Sequence, residues 1–197
     1  MSTSMIRLVP TYPADAESVA AALGLTKGIL QAEESSQSPE AELWLSADGE
    51  TAAFWIADEL LDVDYITVCG AEAGSLAEKI RSVIPTDDIP QLEARVTGDR
   101  DTDTLIDSVY RTAVVACTGY DPRAFSLLCR VLKDPDSMAR RAALVAVSIT
   151  GWREFIPALD EARGRETVEE IRDQAVRVRD ALTETPEPPS PAPGASR

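Results

Sequence analysis

The stretch DELLDVD places Asp58, Glu59, Asp62 and Asp64 within seven residues. Four carboxylates so close could hold a divalent cation or divide acid and base roles between them. Their offsets match neither an EF-hand loop nor a two-metal motif, and no catalytic signature of glycoside hydrolysis accompanies them. A solvated acidic turn is the expected form. The chain has no histidine, which removes Ser-His-Asp and Cys-His arrangements, imidazole-ligated metals and imidazole proton shuttles together. Cys69, Cys117 and Cys129 lack C-x-x-C spacing and sit in apolar contexts, so they read as small buried hydrophobes. The segment GAEAGS after DYITVC lacks both G-x-G-x-x-G and a P-loop lysine. No catalytic residue, cofactor or metal is expected.

Chemistry of recognition is better represented. In AELWLSADGETAAFWIA, Asp48-Gly49 marks a hairpin with a two-residue type I′ turn. Its register sets Leu45 opposite Ala52, Leu43 opposite Phe54 and Ala41 opposite Ile56 on one face, the expected core face. The other face then holds Trp44 diagonal to Trp55, with Glu42 opposite Trp55. Two tryptophans on an acidic face could anchor a partner, or form interdomain core beneath the helices or a connector. Arg140 and Arg141 could bind a phosphate or an acidic peptide, or brace the Asp134–Asp136 turn. These five residues, Glu42, Trp44, Trp55, Arg140 and Arg141, are the candidate partner-binding set.

The elements that must position them fall into two halves. Residues 1–98 carry 5 Lys+Arg against 17 Asp+Glu, and residues 99–197 carry 14 against 17, out of a net charge of −15. Such a chain repels nucleic acid and anionic membranes and attracts a basic protein. No apolar run nears the roughly 18 residues of a membrane span. The opening MSTSMIRLVPTYP lacks a signal-peptide pattern, so a cytoplasmic location is expected. Arginine outnumbers lysine 16 to 3, which hints at a GC-rich bacterial genome.

Residues 1–98 read as an acidic α+β domain of order β-α-β-β-β-α, a small antiparallel sheet with helices. MIRLVP and DYITVC are strands, PADAESVAAALGL is a helix closed by Gly24, and Ser75 with Glu78 form a capping box for SLAEKIRSVI. PTDDIPQLEARVTGD is a connector in which QLEARV could add a strand or short helix. Residues 99–184 read as consecutive helices. Asp121 with Pro122, Asp136, and Thr167 with Glu170 mark starts; Gly119 and Gly151 mark stops. Pro157 demands a kink or late start. Residues 185–197, rich in proline, are expected to be a disordered tail.

The helices repeat. Tyr110-Arg111-x-x-Val114, Ala139-Arg140-x-x-Ala143 and Ile171-Arg172-x-x-Ala175 recur at separations of 29 and 32 residues, the sign of stacked helix pairs. Asp107 and Asp136 stand four residues before Arg111 and Arg140, the spacing of a helical ion pair. DPDSMARRAALVAVSITGWREFIPAL resembles a short HEAT-type repeat. Asp134-Pro135-Asp136 corresponds to the inter-repeat turn, Ala139-Arg140-Arg141-Ala142-Ala143 to the first helix start, Gly151 to the break and Ile156-Pro157-Ala158-Leu159 to the second helix. The likeness spans 121–163 and, more loosely, 166–182 and 101–118. It implies an all-α HEAT-like solenoid that binds other macromolecules, and no particular reaction.

Three functions are therefore weighed. The first is a non-catalytic protein–protein interaction module, an adaptor or scaffold. The second is an immunity-type inhibitor of a basic toxin or nuclease, steered by the acidic half. The third is an enzyme or lyase subunit, since some short HEAT-type proteins resemble chromophore lyases and a related solenoid hosts DNA glycosylases. Low aromatic content (5%) and acidity argue against that third reading.

Overall fold

The structure, a computed structural model, describes residues 4–30, 40–98 and 101–184; the tail expected at 185–197 lies outside them. A five-stranded antiparallel sheet is followed by helices. The strands β1 (Ser4–Leu8), β2 (Thr26–Lys27), β3 (Glu40–Leu45), β4 (Thr51–Asp58) and β5 (Val63–Gly70) take the order β1-β5-β4-β3-β2. The N-terminal helices are α1 (Ala16–Leu23) and α2 (Ala73–Val83). After them come α3 (Ile89–Thr97), α4 (Thr102–Ala116), α5 (Pro122–Val131), α6 (Ser137–Thr150), α7 (Ile156–Arg165) and α8 (Glu169–Glu184).

The expected hairpin register is present, Leu45 opposite Ala52 and Leu43 opposite Phe54, but the main core lies on the other face, and of the expected core face only Ile56 packs into a core among the described residues. Trp44, Ala53, Ile66, Val68 and Leu8 point into a core closed by Val19 and Ala20 of α1 and Leu76, Ala77 and Ile80 of α2. Trp55 packs against that core. Leu43, Leu45, Ala52 and Phe54 belong to none of the three core clusters. Both faces of this hairpin are apolar, so alternation fixes the register and leaves the choice of face to the covering helices. The turn differs too. Among non-glycine residues described, only Asp62 has a positive φ, so Asp48 cannot occupy a type I′ turn, which needs positive φ at both central residues. Ser46 Oγ and Asp48 Oδ1 close the loop instead, accepting from Thr51 N (3.1 Å) and Glu50 N (3.0 Å).

Side-chain caps delimit the helices. Asp15, Asp88, Asp101, Asp121 and Asp136 each accept from first-turn amides, and Gly24 and Gly151 end α1 and α6 in the left-handed region. The Ser75 cap expected for α2 is absent because that helix begins earlier, at Ala73. At α8, Glu166 rather than Thr167 is the acceptor, taking the amides of Thr167 and Val168 (both 3.0 Å). Pro157 falls in the first turn of α7, after a single 3-10 turn at Arg153–Phe155, as its missing N–H requires. α4 packs against α6, α6 against α8, α3 against α5, and α7 pairs with α8. Leu127, Leu128, Leu144, Phe155 and Leu159 fill the space between them. Ile89 and Val96 of α3 belong to this same core, although α3 lies within 1–98.

Two ion networks hold the arrangement. The Asp87 carboxylate has no exposure to solvent and meets Arg95 (2.7 Å) and Arg111 (3.0 Å). Arg111 also reaches Asp107 (2.7 Å), at the expected helical spacing, and the carbonyl of Pro10 (2.8 Å). Arg140 does not pair with Asp136. It makes two bonds to Glu166 (2.7 and 2.8 Å) and two to the carbonyls of Asp134 and Pro135 (2.9 and 3.0 Å). Asp136 instead accepts from Thr102 Oγ1 (2.6 Å), tying α6 to α4.

Removing one partner of a buried charge network typically costs about 3–5 kcal/mol. Asp87→Asn is expected to destabilise the chain by about 3 kcal/mol in urea unfolding, with the slope unchanged. Hydrogen bonding to Arg140 holds the Glu166 carboxyl at about 2, below its ordinary 4.5. Its contribution is therefore complete above pH 4.5 and lost as pH falls towards 2. Stability measured across that window should fall more steeply for wild type than for Glu166→Gln.

Candidate functional site

The β4–β5 turn carries the DELLDVD carboxylates. Asp58 Oδ1 accepts from Leu60 N (3.1 Å) and Leu61 N (3.2 Å), and Asp62 takes a φ of 53° to reverse the chain. Leu61 is buried and pegs the turn into a small core shared with Val63, Tyr65 and Val114, whereas Leu60 is 89% exposed. This geometry raises one wall of an open cleft of about 260 Å³. Asp58, Glu59, Asp62 and Asp64 line it on the turn side, Pro10, Tyr12 and Pro13 on the side of the β1–α1 loop, and Arg111 at its base.

Arg111 cannot neutralise the four carboxylates, because its hydrogen bonds are made to Asp107, Asp87 and Pro10. The cleft therefore presents net negative charge beside the half-exposed ring of Tyr12. A guanidinium or ammonium group suits such a site, held by carboxylates and stacked on the phenol. Among the described residues no group of three or more Asp, Glu or Cys side chains is arranged to hold a metal ion. No described helix is long and apolar enough to cross a membrane.

The five residues singled out in the sequence do not converge. Trp44 is buried beneath α1 and α2, with Lys27 Nζ 5.2 Å from its ring centre, and Trp55 lies beside it in the same core. These tryptophans are covered by helices of their own half, not by the later helices or a connector. Glu42 pairs with Lys27 (3.1 Å) at the sheet edge. Arg140 is consumed by Glu166 and the inter-helix turn, while Arg141 is exposed on α6. Burial pushes the thiols of Cys117 and Cys129 up, away from the thiolate form a nucleophile needs.

Sequence reasoning found the cleft carboxylates but missed their setting. Tyr12 and Pro13 enter through the loop after β1, and Arg111 arrives from α4, far along the chain. One signal was available for the buried anchor below them. In the pair Asp87-Asp88 only one residue can cap α3; Asp88 does so, which leaves Asp87 needing another purpose. Comparison with family models, with curated proteins and with solved structures found no match to this chain.

Proposed function

We propose that the chain is a non-catalytic protein–protein interaction module, whose helical half is a short HEAT-type solenoid and whose acidic cleft receives a basic side chain of the partner. The observation that carries this reading is the cleft. It combines four carboxylates with an accessible tyrosine and prolines, and its one arginine is already engaged. The packing of α4 on α6 and α6 on α8, with the repeated arginine positions, supports a stacked-pair reading of the helices.

A second reading has support from the same site. An immunity-type inhibitor needs a projecting acidic surface that meets a basic partner quickly. The turn offers that, with Leu60 exposed at its tip between Glu59 and Asp62. A scaffold and an inhibitor then differ in what the partner does once bound.

The test is capture of partners from lysate of the source cell at low and high salt, with wild type and with Glu59→Gln/Asp64→Asn. A basic protein retained at low salt, released at high salt, and bound at least tenfold more weakly by the double variant is expected. Tyr12→Ala should weaken it by a few-fold, the size of an exposed cation–π contact of about 0.5–1 kcal/mol. Equal capture by wild type and double variant would remove the cleft from the contact. An enzymatic activity lost on inhibition by the captured complex would distinguish inhibitor from scaffold.

A further inference from the structure

The sheet face opposite the tryptophans is only half covered. At one end, Ile56, Val63 and Tyr65 lie under Val114 and Val115 of α4 and Val145 and Ile149 of α6. At the other end, Met5, Leu43, Leu45, Ala52, Phe54 and Cys69 form two cross-strand rows. None of these six packs into any core cluster of the described residues. Met5 is 46% exposed and the other five are partly so. Six apolar side chains in register across four strands make a continuous surface, which a monomeric protein seldom leaves bare.

This surface contains one cation. Arg7 stands opposite Thr67 across β1 and β5, with its guanidinium 5.0 Å from the Tyr65 ring centre. It forms no ion pair among the described residues, although the chain as a whole is strongly acidic. The Arg7 guanidinium also meets the Cys117 side chain at the end of α4, but Arg7 Nε and Thr67 Oγ1 are both buried and both lack a hydrogen-bond partner. Thr67 itself is only 9% exposed. Buried polar atoms are nearly always satisfied in a finished structure. Two unsatisfied groups on paired residues, at the rim of an uncovered apolar face, mark a place for one acceptor carrying negative charge.

We propose that this half-face is a docking surface for an amphipathic helix of a partner protein. The helix would lay its apolar stripe over Phe54, Leu43 and Met5 and direct one Asp or Glu to Arg7 and Thr67. Size fits: four strands span about 15 Å, three spacings of ~4.8 Å, which a helix crosses in about ten residues. Such a helix would continue the layer that α4 and α6 begin on the same face. The simplest alternative is a second copy, and a net charge of −15 on each copy works against it. The docking surface uses none of the cleft carboxylates, so the two sites are separable.

The experiment is selection of displayed helices of about sixteen residues, with apolar positions fixed at i, i+3, i+4 and i+7 and the remainder randomised, on the intact chain. Phe54→Lys serves for counter-selection, and Leu43→Glu is the second variant if Phe54→Lys fails to fold by circular dichroism. Enriched helices should share an acidic residue at one flank of the stripe. Replacing that residue by Gln should weaken binding at least tenfold, and so should Arg7→Gln, with the two losses overlapping rather than multiplying. Glu59→Gln/Asp64→Asn should leave these helices bound. Helices indifferent to Arg7, the absence of any enrichment, or a wild-type dimer dissociated by Phe54→Lys would each overturn the proposal.

Discussion

A carboxylate without access to water must be met by cations, and Asp87 is met by two. That requirement organises the middle of the molecule. Arg95 comes from α3 and Arg111 from α4, so the charge ties those two helices together at one point. Arg111 also holds the Pro10 carbonyl, and Thr11 and Asp87 exchange backbone bonds with the segments around Pro85 and Val9. The loop after β1 is thereby clamped to the loop after α2. The cleft stands on this clamp: the same arginine that anchors Asp87 forms the cleft floor, which is why its charge is not free to cancel the carboxylates above.

Much of the helical half was legible because its signals are local. An aspartate before a helix, a glycine after it and a proline in its first turn each act through neighbouring backbone, so Asp121, Asp136, Gly151 and Pro157 mean in the fold what they mean in the sequence. Arg140 shows where local reading stops. Helical spacing offers it Asp136, but Asp136 is drawn away by Thr102, 34 residues earlier, and Arg140 takes Glu166 at the next turn. Competition between partners remote in sequence decided the outcome. Arg140 nonetheless donates to the carbonyls of Asp134 and Pro135 in the turn before its helix.

The sheet was legible in register and misleading in orientation. Alternation pairs Leu43 with Phe54 whichever way the hairpin faces. With Leu and Phe on one side and Trp on the other, hydrophobicity could not choose. The larger side chains went under α1 and α2. The remaining apolar row was left facing outward, where it now looks like a core without a cover. The cleft was legible only as a cluster of acids, since its tyrosine, prolines and arginine come from three separate segments.

The small core of Val9, Leu61, Val63, Tyr65 and Val114 is shared by sheet and helices, and α3 is packed among the later helices while its Arg95 serves the clamp. The Trp44 core lies wholly within residues 1–98, but the other two cores cross the boundary between the halves. A cut between residues 98 and 99 would strip α3 from α4 and α5 and expose the Tyr65 end of the sheet. The two halves that differ so much in charge and composition are therefore expected to unfold together, in a single melting transition rather than two, and recombination that exchanged one half would be expected to carry the other down with it.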